Sequence, residues 1–229
     1  MPDHDYIYMQ QAETYHRLIS KQADLLPHIE AIRPIHGLDI VDLGAGTGRL
    51  TVELAAQAQS VIALDASEAM LRLIADRLKE AGLTNVRTQV ADLRKLPLPD
   101  HSADLIVAGW SICYVASRNV PDWQLNLEQV INEIKRVLRF KGTIIIFETM
   151  GTGFETPTPP DFLTSYYAEL AQRYGFSHTW LRTDYQFDHI EQAESLTRFF
   201  FDDTLADRVV QQNLVRLPEC AGVWWLHTE

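Results

Sequence analysis

The sequence has 229 residues, of which 46% are hydrophobic and 22% are charged, and its formal net charge is -11 at pH 7. This length and composition are typical of a globular protein with one large domain and a sizeable buried core. A net negative charge gives no general attraction to phosphate polyanions or anionic membranes, and no dense run of Lys and Arg offsets it. We therefore expect neither a nucleic acid nor a membrane as a partner.

Cysteine usage and the N-terminal segment indicate the compartment. Cys113 and Cys220 lie far apart and form neither a CxxC pair nor a metal-ligand spacing, so no metal site is expected. The first ten residues carry neither the basic nor the apolar segment of a secretory signal. No apolar run approaches the roughly 20 residues needed to cross a bilayer. These features predict a cytoplasmic protein, and they leave its oligomeric state open.

The first two thirds of the chain alternate amphipathic stretches with short apolar runs. In chain order these predict one or two helices within 11–32, strand 38–43, helix 48–58, strand 60–65, helix 67–82, strands 85–92 and 103–109, helix 124–138 and strand 142–149. Ser67 is a plausible N-cap of its helix, and Gly82 is a stop signal. Strands that alternate with helices over about 110 residues indicate βαβ units and a buried parallel sheet.

The last third of the chain has a different organisation. A proline-rich loop leads out of the sheet, and the elements predicted after it are helix 162–175, strand 179–187, helical segment 193–215 and strand 221–228. The two late strands are expected to pair antiparallel on one edge of the sheet. We predict one domain, 1–229, made of an N-terminal helical cap (1–35), a core (36–150) and an excursion with C-terminal strands (151–229).

The stretch VDLGAGTGR contains the glycines Gly44, Gly46 and Gly48 at the junction of a predicted strand and helix. Glycines there let a ligand approach the backbone closely, beside a helix N-terminus and at the carboxyl edge of a parallel sheet. Dinucleotide-binding proteins carry a third glycine at the position held here by Arg49. Asp42 precedes the turn, and its carboxylate suits a cationic ammonium group better than a pyrophosphate, which it would repel.

Two more acids follow successive predicted strands. Asp65 can accept hydrogen bonds from both hydroxyls of a ribose, and Asp92 can accept one from the exocyclic amine of a purine. Met70 and Leu93 offer apolar faces to the ring. An ammonium, a ribose and an adenine-like amine, each met by a carboxylate, describe S-adenosylmethionine.

Four segments now give the sequence a resemblance to a known family: VDLGAGTG, ALDASEAML, ADLRKLPLPDHSADLIVAG and INEIKRVLRFKGTIIIFET. Over residues 36–150 the chain resembles the class I S-adenosylmethionine-dependent methyltransferases, in particular the small-molecule group that includes the ubiquinone/menaquinone-type enzymes. The resemblance implies an α/β, Rossmann-like methyltransferase fold, with a seven-stranded mostly parallel sheet, an antiparallel last strand and helices on both faces.

The resemblance also implies which positions contact the cofactor. These are Asp42, Gly44, Ala45, Gly46, Asp65, Ala66, Met70, Ala91, Asp92, Leu93, Ala108 and Gly109. The reaction expected is in-line transfer of the methyl group to a small-molecule acceptor, in which the protein aligns the reactants and excludes water.

Aromatic residues are expected to build the acceptor pocket, which suits a small, planar or partly apolar molecule. The candidates are Tyr6, Tyr8, Tyr15, Trp110, Tyr114, Trp123, Phe154, Phe162, Tyr166 and Tyr167, with Tyr15 and Trp110 favoured. A general base is required only when the nucleophile must lose a proton. The candidates for that role are His4, His16, Glu148 and His178, and the sequence assigns none of them as catalytic.

Two alternative functions stay open at this point. A nicotinamide-dependent oxidoreductase is disfavoured by Arg49 and by Asp42 beside the expected phosphate site. A non-catalytic S-adenosylmethionine-binding protein would keep the same motifs. Amino-methylating DNA enzymes typically carry an N/D-P-P-Y/F motif after the fourth strand, and this chain has GWSICY there.

Overall fold

A seven-stranded sheet forms the centre of the structure, a computed structural model that describes residues 2–229. The strands in chain order are β1 (Asp39–Leu43), β2 (Ser60–Asp65), β3 (Val86–Val90), β4 (Ala103–Gly109), β5 (Leu138–Thr152), β6 (Ser177–Arg182), β7 (Tyr185–Gln186), β8 (Arg216–Leu217) and β9 (Glu219–His227). The helices are α1 (His4–Gln10), α2 (Ala12–Ile19), α3 (Leu26–Ile32), α4 (Arg49–Ala55), α5 (Glu68–Glu80), α6 (Cys113–Ala116), α7 (Trp123–Val137), α8 (Asp161–Ala168), α9 (Ile190–Phe200) and α10 (Asp203–Gln211). A π-helical turn, Glu169–Arg173, continues α8.

The strand order in the large sheet is β3-β2-β1-β4-β5-β9-β6. Strands β1 to β5 pair in parallel, and β9 runs antiparallel to both of its neighbours, β5 and β6. This confirms the predicted seven-stranded, mostly parallel sheet with an antiparallel last strand, and the expected pairing of the two late strands at one edge. The carboxyl ends of β1, β2, β3 and β4 therefore lie along one edge of the sheet, where such folds bind their ligands.

Helices cover both faces of the sheet, as predicted. Alternate residues of a strand point to opposite faces, so Leu105 and Val107 of β4 pack with α3 and α4, while Ile106 packs with α7 on the other side. The near-continuous apolar runs of β4 and β5 are those of strands buried on both faces.

The residues predicted to start and to stop helix α5 have those roles in the structure. The Ser67 side chain accepts a hydrogen bond from the Met70 N–H at the start of the helix. Gly82, with φ of +67°, follows the end of the helix in the left-handed conformation that glycine adopts without strain.

Several elements differ from the sequence predictions. The helical segment predicted at 193–215 forms two helices, α9 and α10, and β8 follows it. Helix α1 precedes the predicted helical region, and the predicted helix 162–175 changes to a π-helical turn over its second half. The predicted strand 179–187 divides into β6 and β7 because Asp184 lies between them. Its carboxylate binds the guanidinium groups of Arg182 and Arg216, and this turns the chain out of the large sheet.

Strands β7 and β8 form a small second sheet in the excursion after β5. This sheet shares a hydrophobic cluster with α9 and α10, and Leu18 of α2 completes the cluster. Between residues 2 and 229, every helix is too short or too polar to cross a bilayer. The division into cap, core and excursion stays a prediction, and residue 1 of the cap lies outside the described residues.

Candidate functional site

The turn between β1 and α4 has a conformation that requires glycine. Gly44, Gly46 and Gly48 have φ values of +68°, +55° and +82°. The Gly44 N–H donates to the carbonyl of Leu64 at 2.7 Å, which ties the turn to β2. A Cβ atom added at Gly44 would lie 2.2 Å from Cβ of Ser111, so this position has no room for a side chain. The turn therefore presents bare backbone at the carboxyl edge of the sheet.

Asp65, the last residue of β2, faces this turn. Its carboxylate accepts from the N–H of Gly46 and from the N–H of Ser67, both at 2.8 Å. Burial raises its pKa, and the backbone N–H groups oppose that shift. A carboxylate has about four lone-pair sites, so two remain for the hydroxyls of a ribose.

Asp92 follows β3 and is held by Arg94. The Arg94 guanidinium donates from Nε and Nη2 to both carboxylate oxygens, at 2.6 to 3.2 Å. This hydrogen-bonded partner lowers the pKa of Asp92, which stays ionised and partly exposed at the cavity wall. The arrangement fixes an acceptor group at the position predicted for the purine amine.

Asp42, in β1, is buried beneath the turn. The hydroxyl of Thr51 donates to Oδ2 of Asp42 at 2.6 Å. Burial raises the pKa of Asp42 to about 7, and the nearby charge of Asp65 adds to the shift. A cationic ammonium group at this point would favour the ionised form, because an opposite charge lowers a carboxyl pKa.

A cavity of about 640 Å³ opens along this edge, and most of the predicted cofactor residues line it. They are Gly44, Gly46, Asp65, Ala66, Met70, Ala91, Asp92, Leu93 and Gly109. We call this the first cavity. Asp42 and Ala45 instead line a second cavity beside it. Ala108 lines neither cavity, because it is buried within β4 and contributes to the core under the sheet edge.

The second cavity has a volume of about 420 Å³ and a wall rich in aromatic residues. Its aromatic residues are Tyr8, Tyr15, Trp110, Tyr114, Phe162, Tyr185, Phe200 and Phe201. Tyr15 and Trp110, the residues favoured for the acceptor pocket, line both cavities. Of the other aromatic candidates, Tyr8, Tyr114 and Phe162 line the second cavity, and Trp123, Tyr166 and Tyr167 pack in the core. Tyr6 and Phe154 are exposed and line neither cavity.

Trp110 turns the chain out of β4 at the junction of the two cavities. Its φ is +51°, a rare conformation for a bulky residue, and its N–H is held by the Phe147 carbonyl at 2.7 Å. The guanidinium of Arg49 lies 4.6 Å from the centre of the indole ring, within the range of a cation–π interaction. Strained backbone fixed in this way is a feature of ligand sites.

Helix α1 closes one side of both cavities. The Tyr8 hydroxyl is hydrogen-bonded to that of Tyr114, and Ser67 donates to the Tyr8 carbonyl at 2.8 Å. Burial raises the pKa of both tyrosines well above 10, so their hydroxyls stay neutral. His4 stacks on Phe200, with ring centres 4.5 Å apart, and joins α1 to α9.

The four candidate bases occupy different places. His4 lines the second cavity, whereas Nδ1 of His16 is bonded to the Thr47 hydroxyl at 2.9 Å. Glu148 is buried in β5, where it accepts from the N–H of Cys113 and forms no part of either cavity wall. His178 lies on the exposed face of edge strand β6.

The residues of the second cavity that the sequence interpretation missed include Tyr185, Phe200, Phe201 and Glu219. These four come from the excursion or from the start of β9, far along the chain from the glycine turn. The triple phenylalanine at 199–201 is a local signal, because three consecutive side chains at the end of a helix point in different directions and cannot all face one core. Glu219 has no local signal at all.

Comparisons with known proteins show which proteins this chain resembles. Residues 41–146 match the family described as "Methyltransferase domain". A demethylmenaquinone methyltransferase of Clavibacter sepedonicus is 36% identical over 130 residues, which cover 57% of this chain and 46% of the relative. The chain spans about half the length of the first curated relatives it matches. A protein of the same name from Anoxybacillus flavithermus is 27% identical over 98% of this chain and 90% of its own length.

A solved S-adenosylmethionine-dependent methyltransferase from Aquifex aeolicus has the same fold. Its TM-score is 0.55 at 16% identity, over 97% of this chain and 93% of that chain. The fold and the glycine–carboxylate edge are similar to those of the class I S-adenosylmethionine-dependent methyltransferases. Residues 41–146 match a methyltransferase domain, and the likeness to the Anoxybacillus flavithermus relative extends over nearly the whole chain.

Proposed function

We propose that this protein transfers a methyl group from S-adenosylmethionine to a small-molecule acceptor. The observation that carries this proposal is the pair of adjoining cavities at the carboxyl edge of the sheet. Gly44, Gly46, Gly109 and Trp110 belong to the walls of both. A nucleoside in the first cavity and an acceptor in the second would meet across this shared wall.

The first cavity fits the cofactor by its shape and its donor set. The glycine turn provides a backbone cradle that a Cβ atom at Gly44 would fill. Asp65 and Asp92 offer carboxylate oxygens where hydroxyl and amine groups are expected, and the buried side chain of Met70 provides an apolar face. Asp42, at the border with the second cavity, would hold the ammonium group.

The bound cofactor supplies a methyl group already activated by a sulfonium. What remains for this chain is to align the acceptor and to keep water out. Tyr8 and Tyr114 close the side formed by α1, and Trp110, held at positive φ, fixes the wall between the cavities. Tyr15, whose pKa burial raises to about 12, stays neutral at neutral pH and adds a planar wall.

We further propose an acceptor that is planar and partly apolar. The aromatic wall of the second cavity supports this, and so does the name of the relatives, demethylmenaquinone methyltransferase. Cys113 and Cys220 are both free thiols, which supports action in a reducing compartment such as the cytoplasm.

Calorimetry tests the cofactor assignment. The protein is expected to bind S-adenosylhomocysteine and not NAD, and Asp65→Asn should weaken that binding by more than about tenfold, because hydrogen bonds to a charged acceptor are worth about 1.5–3 kcal/mol. Asp104→Asn is the matched control. Asp104 lies at the opposite end of β4, where it pairs with Arg139, and its loss should leave the affinity unchanged. Binding of NAD alone would refute the proposal.

Activity is tested with labelled S-adenosylmethionine and metabolite extracts. Label should appear in a small molecule with the wild type and should fall strongly with Asp65→Asn. Cofactor binding without any labelled product would instead favour a non-catalytic binding protein.

A further inference from the structure

Glu219 is a buried acid in the wall of the second cavity that the proposed mechanism does not use. It is the first residue of β9, and its register partner on β5 is Thr152, which also lines the cavity. Only 2% of the residue is exposed. Its backbone is fixed on two sides, since its N–H donates to the Asp184 carboxylate and its carbonyl accepts from the N–H of Thr183.

The two oxygens of the Glu219 carboxyl differ in their bonding. Oε1 accepts from the Thr149 hydroxyl at 2.9 Å. Oε2 is fully buried and has no hydrogen-bond partner among residues 2–229. A buried acceptor without a partner costs about 1–3 kcal/mol, and more when it is charged. Burial raises the pKa of Glu219 to about 7, although the neighbouring Thr152 and Thr149 hydroxyls oppose this shift.

The surroundings of Glu219 restrict the partner that it can take. The guanidinium of Arg49 lines the same cavity, so a permanently cationic group would meet a like charge there. The same guanidinium is already engaged by the Gln22 amide oxygen at 2.7 Å and by the Trp110 ring, and it forms no ion pair with Glu219. A neutral donor group satisfies the free carboxylate oxygen and avoids that repulsion.

Resting on the proposed function, we propose that Oε2 of Glu219 binds the methyl acceptor by accepting a hydrogen bond from a neutral hydroxyl or N–H group on it. Glu219 thereby selects acceptors that carry such a donor from among planar apolar molecules that would otherwise fit the aromatic wall. Loss of the donor leaves a buried carboxylate unsatisfied, which is how hydrogen-bonding sites reject close analogues.

Two matched pairs of probes test this, each measured by fluorescence titration at pH 8 with S-adenosylhomocysteine present. The pairs are 2-naphthol with 2-methoxynaphthalene, and indole with 1-methylindole. In each pair, methylation removes the donor and leaves the planar ring intact. The wild type should bind the donor member of at least one pair about tenfold or more tightly, and the pair that responds separates hydroxyl from N–H recognition.

In Glu219→Gln an amide replaces the carboxylate and presents either its N–H₂ group or its oxygen to the ligand. The preference for the donor member of a pair should therefore fall below about threefold. Glu148→Gln is the matched control, because Glu148 is an equally buried acid with a free Oε2 that belongs to neither cavity, and the preference should persist. A wild type without preference in both pairs overturns the proposal, even if Glu219→Gln does not fold. A preference that survives in folded Glu219→Gln overturns it as well.

The affinity for S-adenosylhomocysteine, measured on the same samples, separates the two proposals. If the wild type does not bind this nucleoside, the proposed function fails. If binding is intact but the donor preference is missing, only the role of Glu219 fails.

Discussion

Gly44 is the position where one added methyl group has the most defined consequence. A Cβ atom there would lie 2.2 Å from Cβ and 2.8 Å from Oγ of Ser111, a residue just beyond β4. Ser111 cannot simply rotate away, because its hydroxyl donates to the Leu43 carbonyl at 2.7 Å and the residue is buried. Gly44→Ala therefore forces β1 and the segment after β4 apart.

The magnitude follows from two contributions. A left-handed conformation costs a non-glycine residue about 1–2 kcal/mol. Overpacking against Ser111 adds about 1–3 kcal/mol. We expect Gly44→Ala to lower the free energy of unfolding by about 2–5 kcal/mol. Gly46→Ala is the matched control, since its φ is also positive but its nearest neighbour, Tyr15, lies 3.9 Å away, so it should cost only the backbone contribution.

Urea unfolding monitored by tryptophan fluorescence measures both variants, alone and in a Ser111→Gly background. Removing the Ser111 side chain should bring the cost of Gly44→Ala down to that of Gly46→Ala, because only the backbone contribution remains. Equal losses for the two alanine variants in the wild-type background would refute the reasoning. So would a Gly44→Ala cost that Ser111→Gly leaves unchanged.

The remaining predictions concern pH and the attachment of α1. Burial raises the pKa of Glu148 from 4.5 to about 7, so the folded state binds a proton that the unfolded state releases, and stability falls as pH rises between these values. Glu148→Gln should therefore gain on the order of 2–3 kcal/mol relative to wild type between pH 5 and pH 8 in urea unfolding, whereas parallel pH profiles would contradict this. Ser67→Ala removes an N-cap and the bond to the Tyr8 carbonyl, and should cost about 1–2 kcal/mol and weaken S-adenosylhomocysteine binding in calorimetry. Asp202→Ala, which removes the N-cap of α10 at a residue that lines neither cavity, should cost a similar amount with unchanged S-adenosylhomocysteine binding.

The central sheet was predictable because its signals are local. The runs at β1, β2 and β4 are mostly apolar and are bounded by turn residues, which is what burial on both faces of a parallel sheet produces. The glycine turn and Asp65 were predictable for the same reason, since the constraint lies within a few residues of the chain. Helix α1 was missed because Ile7 is its only buried residue, so its apolar periodicity is too weak to indicate a helix.

The acceptor side was not predictable because it is assembled from distant segments. Glu219 reaches Thr149 across 70 residues, and its burial arises only when β9 inserts between β5 and β6. In the sequence Glu219 stands between a proline and a cysteine with no pattern around it. Phe200 and Tyr185 likewise enter the cavity through the packing of the excursion on α2, which no local propensity encodes.

The residues that line both cavities also determine how a methyl group would pass from the first cavity to an acceptor in the second. Cys113 lines the second cavity and is the one thiol of the described chain placed to act as an intermediate carrier. Burial and the neighbouring charge of Glu148 raise its pKa well above 9, which keeps the sulfur protonated and weakly nucleophilic. The residues that line both cavities are three glycines, Trp110 and the tyrosines Tyr8, Tyr15 and Tyr114. Burial raises the pKa of each of these tyrosines, so their hydroxyls stay neutral and none is suited to relay the group. Direct transfer between two ligands held side by side is the chemistry that this arrangement favours, and Cys113→Ala should therefore leave methyl transfer intact.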